Sequence, residues 1–275
     1  MAKVIILGNG FDISLGLKTA YGDFIDSEIF LQLCRDNNGL ANTVKENRNL
    51  EGWIDLEDFL ALRSYQLHQG GARTHSLREE YTGLHQAFTS YMNSIGKELN
   101  FDSDAAKFLM REINADTKNY IFTFNYTNAA NEAIKQHPRY GILSYEKQVI
   151  VDHVHGKHSD DNIIFGVGDR SRAHYGHAYL FKSYRDNFNP RKLYSLLRGS
   201  SEVVFFGYSL GAQDRTYFQD YFHGCSIGEI KDKKIKIYCY NEKAKESIYS
   251  NIKEVCENLG EIRSHNDLIF EKINK

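Results

Sequence analysis

Three short segments carry the side chains from which a reaction could be built. In Ile121-Phe-Thr-Phe-Asn-Tyr-Thr127, the residues Thr123, Asn125 and Thr127 stand at the end of an apolar run. An amide such as Asn125 donates and accepts at once, which suits gripping a ribose hydroxyl, a carboxamide or an attacking water. The alternative is an Asn that caps the following helix. In Val149-Ile-Val-Asp-His-Val-His-Gly156, strand alternation puts His153 and His155 on one face. A His just before a Gly at a strand end can serve as a general base near neutral pH. It can equally be structural, or pair with its neighbour on a metal. No third ligand stands at metal-motif spacing, His158 being only a loose candidate, so no metal is expected. In Val203-Val-Phe-Phe-Gly-Tyr-Ser-Leu-Gly211, an apolar run ends in Gly207, and Ser209 can bond a phosphate or a ribose. Gly-Tyr-Ser-Leu-Gly also fits the nucleophile elbow of serine hydrolases. That reading wants an acid and then a His after Ser209; Asp214 lies close behind it, and His223 and His265 follow.

A fourth segment can hold a phosphate. Val4–Leu7 reads as a buried strand, it breaks at Gly8 and Gly10, and a helical pattern follows from about Leu15. Strand, glycine turn and helix in that order let backbone N–H groups and a helix dipole face a pyrophosphate. The spacing is Gly-x-Gly followed by Gly16, so the glycines can also serve only a tight turn. Asp12 either lines the crevice or caps a helix starting near Ser14. Asp169, after Ile163-Ile-Phe-Gly-Val-Gly, either touches a ligand or closes a turn. The acids Asp55, Glu57 and Asp58 start a helix or face the crevice.

These residues need a frame. Strand-like runs occur at Val4–Leu7, Tyr120–Phe124, Val149–His155, Ile163–Phe165, Val203–Gly207 and Lys236–Tyr240. They are short, nearly continuous in apolar residues and rich in β-branched or aromatic side chains. Such strands, followed by helical stretches, predict an α/β, Rossmann-like, mostly parallel sheet with helices on both faces. Between the first two runs, helical spacing dominates: Leu56, Phe59, Leu60, Leu62 and Leu67, then Leu77, Tyr81, Leu84, Phe88, Tyr91, Ile95 and Leu99. The expected organisation is a Rossmann domain over 1–17 and 116–275, with a helical insertion or cap over 18–115. The polar tract Asp36–Glu51 is expected to be a loop inside the insertion.

Bulk properties narrow the class. A net charge of −2 gives no sign of a broadly basic surface for duplex DNA. The high aromatic share, 13%, predicts rings in cores or at a subunit interface. Cys34, Cys225, Cys239 and Cys256 form no close pair, which argues against a cysteine zinc site. With no charged-then-apolar leader before Val4 and no membrane-length apolar run, a cytoplasmic protein is expected.

The motifs also occur in a familiar order. Gly-Asn-Gly-Phe-Asp at 8–12, Gly-Leu-x-Thr-x-Tyr at 16–21 and Trp-x-Asp-x-Glu at 53–57 come first. Phe-Thr-Phe-Asn-Tyr-Thr at 122–127, His-Val-His-Gly at 153–156 and Gly-Tyr-Ser-Leu at 207–210 follow. Together, over residues 4 to about 214, they resemble the AbiH family of bacterial phage-abortive-infection proteins, itself similar to the sirtuin-like NAD-binding fold. The resemblance implies a catalytic Asn125 and a catalytic base at His155. It implies NAD contacts from Gly8, Asn9, Gly10, Phe11 and Asp12, with Thr123, Gly207 and Ser209. Thr127 stands where sirtuins carry an Asp, and the zinc-binding cysteine pairs of protein deacylases are absent. That combination resembles sirtuin-like antiphage domains, which hydrolyse NAD to nicotinamide and ADP-ribose. The implied protein is a bacterial cytoplasmic NAD glycohydrolase, NAD its substrate, without metal. Because NAD loss harms the host, a gated enzyme is expected, closed by the helical insert or by oligomerisation, with a homo-oligomer and a phage-derived or defence-system activator as expected partners. The alternative is a sensor that binds NAD or ADP-ribose without turnover.

Overall fold

The computed structural model describes residues 2–47, 56–69, 74–96, 98–114, 116–160, 162–256 and 258–273. In chain order, β1 (Ala2–Leu7) leads into α1 (Asn9–Ser14), α2 (Tyr21–Ile25), α3 (Glu28–Arg35), α4 (Gly39–Asn47), α5 (Leu56–Gln69), α6 (Thr74–Ser94) and α7 (Asp104–Glu112). Then come β2 (Lys118–Thr123), α8 (Ala129–Lys135), α9 (Leu143–Glu146), β3 (Val149–His153), α10 (Pro190–Gly199) and β4 (Glu202–Phe206). The chain continues through α11 (Arg215–Ser226), β5 (Lys234–Cys239), α12 (Glu242–Cys256) and α13 (Leu259–His265) to β6 (Asp267–Lys272). It divides into two compact units, one of residues 1–17, 97–154 and 189–275, the other of 18–96 and 155–188.

The first unit is built on the six strands, all parallel, in the order β3-β2-β1-β4-β5-β6. Val4–Leu7 and Val203–Phe206 are wholly buried, as strands inside a covered parallel sheet must be. The α/β, Rossmann-like expectation is met. The chain builds β1, β2 and β3 outward in one direction, then returns to lay β4 on the other side of β1. Ligands of such sheets sit outside the strands' carboxyl ends at this reversal. An ion cluster ties α7 across the sheet. Lys3 Nζ contacts Glu112 at 2.5 Å and Glu202 at 3.3 Å, and Lys236 Nζ contacts Glu202 at 2.8 Å and Glu112 at 3.5 Å.

The second unit is helical with a long irregular segment. Its core is aromatic: Phe24 meets Phe30, Phe88 and Tyr91 with centroids 5.2–5.5 Å apart. Phe165 packs on Phe88 at 5.0 Å and on Tyr21 at 6.0 Å. The buried Lys182 Nζ donates to Glu57 at 3.0 Å, and the Tyr21 hydroxyl donates to the other Glu57 oxygen at 3.0 Å.

Four local expectations differ from the fold. Ile163–Phe165 forms no strand; those side chains are apolar because they fill the second unit's core. The polar tract from Asp36 contains α4, which Asn38 caps by accepting from Ala41 N at 2.9 Å and which buries Leu40, Ala41 and Val44. The first helix spans Asn9–Ser14 rather than starting near Leu15. It ends in a left-handed Gly16 (φ 91), with Leu17 N bonded to Asp12 O and Gly16 N to Ile13 O. Finally, β6 had no counterpart among the expected strands. Trp53 and Asp55 lie outside the described residues.

Candidate functional site

At the reversal point two backbone turns interlock. Gly8 N donates to Phe206 O at 3.0 Å, and Gly10 N donates to Gly207 O at 2.9 Å. A Cβ on Gly8 would lie 2.5 Å from Gly207 O, and one on Gly10 would lie 2.7 Å from Gly207 Cα. Gly207 itself has φ +61, and a Cβ there would meet Phe11 N at 2.5 Å. The contact between the turns therefore accounts for all three glycines. Three N–H groups of the loop are engaged within the protein, those of Gly8 and Gly10 and that of Phe11, which donates to Gly8 O at 2.9 Å. Asn9 and Ser209 are exposed beside this contact, while Phe11 is buried against Phe206. The Tyr240 hydroxyl donates to Gly10 O at 2.6 Å from the end of β5.

One turn of α1 further, Asp12 is only 1% exposed. It lies inside α1, whose N-cap is Gly8, and so caps no helix. Its two carboxylate oxygens accept from Asn125 Nδ2 and from the Thr127 hydroxyl, both at 2.6 Å. The strand β2 ends at Thr123, so Asn125 and Thr127 sit on the turn beyond its carboxyl end. The buried Thr123 hydroxyl accepts from Asn125 N at 3.2 Å, and Thr127 Oγ1 accepts from Ala129 N at 3.2 Å. The second N–H of the Asn125 amide donates to Gly8 O at 3.1 Å. Burial pushes the Asp12 carboxyl up to about 7, against the hydroxyl of Thr127 and the amide of Asn125, which favour its charged form.

The histidines separate. The strand β3 stops at His153, so alternation does not extend to His155. His153 Nε2 lies 3.1 Å from Asn131 Nδ2 in the first unit. His155 opens the second segment of the second unit, is 3% exposed, and through its carbonyl accepts from Ile164 N at 2.7 Å. Gly156, at φ +76, follows it, and a Cβ there would strike Asn162 O at 2.1 Å. His158 bonds Asn93 at 2.8 Å. No group of three metal-ligating side chains occurs among the described residues.

The remaining motif residues have local partners. Asp169 accepts from the Ser183 hydroxyl, a bond between segments 14 residues apart. Asp214 accepts from the Tyr208 hydroxyl at 2.9 Å. Ser209 lies three residues past β4, and the left-handed residues of this turn are Gly207 and Leu210, not Ser209, so the strained nucleophile of an elbow is not formed there. A cavity of about 270 Å³, lined by Asp104, Lys107, Arg111, Phe206, Tyr238, Glu271, Lys272 and Ile273, belongs to the β4–β6 half of the sheet. The partnership of Asp12 with Asn125 and Thr127 carries no local sequence signal, since 113 and 115 residues separate the partners. Tyr240 was visible only as the last aromatic of a strand-like run.

A family model described as bacteriophage abortive infection AbiH matches residues 4–238. No curated protein matches the chain.

Proposed function

The chain belongs to the AbiH family of bacteriophage abortive infection proteins, and on that premise we propose that its effector step is hydrolysis of NAD to nicotinamide and ADP-ribose. The observation that carries this reading is Asn125, held rigidly beyond the carboxyl end of β2, next to the β1/β4 reversal where Rossmann-type sheets take dinucleotides. Cleavage of the nicotinamide–ribose bond needs no strong nucleophile, because a neutral pyridine leaves an oxocarbenium-like ribose. It needs a held ribose and an activated water. Asn125 supplies a fixed amide for the first task. The resemblance assigns the second to His155, a general-base role worth roughly 10²–10⁴-fold. Asn9 and Ser209, exposed beside the interlocked glycines, are the proposed polar contacts to the cofactor.

Purified wild type, Asn125→Ala and His155→Ala are incubated with NAD, and nicotinamide and ADP-ribose are followed by chromatography. Product from the wild type, reduced at least 100-fold in each variant, is the expected result. Undiminished product from either variant removes that residue from the active site. NAD bound at a defined stoichiometry without product contradicts the hydrolase and supports the sensor.

A further inference from the structure

We propose that Asp12 is a positioning residue that fixes which end of the Asn125 amide a ligand meets. The carboxylate takes one Asn125 N–H at 2.6 Å and the Gly8 carbonyl takes the other at 3.1 Å. Both donors of the amide are thereby consumed inside the protein, and no hydrogen bond occupies Oδ1 among the described residues. Asn125 then acts as an acceptor only. The group it binds must be a donor, a hydroxyl or a water, and not a carbonyl or phosphate oxygen. With NAD as substrate, which rests on the reading above, that donor is a ribose hydroxyl or the attacking water.

The arrangement depends on charge. Ionised Asp12 accepts from Asn125 and from Thr127 together; protonated, it keeps one good acceptor, and its bond to Asn125 loses charge assistance. The titratable and charged groups on elements packed against α1 include Tyr240, bonded to Gly10 O, and, on α7, Asp104, Lys107, Arg111 and Glu112. None of these governs the Asp12 carboxyl, which answers to burial, Thr127 and Asn125. Replacement by Asn removes the charge: its amide nitrogen can meet the Thr127 hydroxyl as acceptor, and its neutral oxygen holds the Asn125 N–H without charge assistance.

The test is an NMR measurement on full-length protein labelled with ¹⁵N-asparagine, the Asn125 side-chain pair being identified by its loss in Asn125→Ala. In wild type the two Asn125 amide protons should exchange slowly and shift with a single titration as pH crosses 7. In Asp12→Asn the titration should vanish and the protons should exchange at least tenfold faster. Alongside, kcat for NAD should fall roughly 100-fold with KM within threefold, as expected for a misaimed group, and the acid limb of the wild-type pH profile should disappear. Asn125 resonances in Asp12→Asn that match wild type in shift and exchange overturn the proposal. The resonances decide this whether or not NAD is consumed, so a failed hydrolase assay and a failed positioning role are read separately.

Discussion

At the scale of single residues, the buried carboxyl of Asp12 holds Asn125. Its carboxyl titrates at about 7 in the folded chain against 3.8 ordinarily. Between those values the folded state binds more protons than the unfolded one, so stability falls as pH rises through this window. The full effect is on the order of 4 kcal/mol, at about 1.4 kcal/mol per pH unit. Urea unfolding at pH 5 and pH 8 should show wild type losing stability toward pH 8, and Asp12→Asn losing much less. An equal loss in both would place the pH dependence elsewhere. Asn125 was legible as a chemically capable side chain from its place after an apolar run. Its orientation was not, because Gly8 and Asp12 reach it only through the pairing of β1 with β2.

Among elements, α7 is anchored by charge. Burial opposes the charge of Glu112, but the hydrogen bond and charge of Lys3, then Tyr238 and Lys236, outweigh it and hold its carboxyl below the ordinary range. Removing one partner of a buried ion pair leaves the others uncompensated, so Glu112→Gln should cost about 3 kcal/mol in urea unfolding at pH 7. A loss below 1 kcal/mol would mean that the cluster behaves like an exposed pair. Because this acid is depressed, its contribution is present above pH 4.5 and fades as pH falls below it. The strands β1 and β4 were legible because a covered parallel strand must be apolar nearly throughout, and β2, β3 and β5 from shorter runs of β-branched and aromatic residues. The strand β6 was not, since Leu268, Ile269 and Phe270 stand between Asp267 and the pair Glu271 and Lys272. Ile163–Phe165 was misread for the converse reason: a short buried apolar run looks alike in a strand and in a core-filling loop. The helix α4 hid in a polar tract because only three of its residues are buried.

For the whole molecule, family membership gives a role in phage abortive infection. No helix among the described residues is long and apolar enough to cross a membrane. An NAD-consuming step harms the host, so on the proposed reading activity must wait for infection, through an activator or through assembly of copies. A preparation active as a monomer before any infection would contradict that gating. The most direct measurement is intracellular NAD after infection, in bacteria that carry the wild-type chain or Asn125→Ala and are challenged with a phage the wild type restricts. NAD should collapse before lysis with the wild type and hold steady with the variant, which should also lose protection. Protection by the wild type with NAD unchanged would contradict NAD hydrolysis as the effector step.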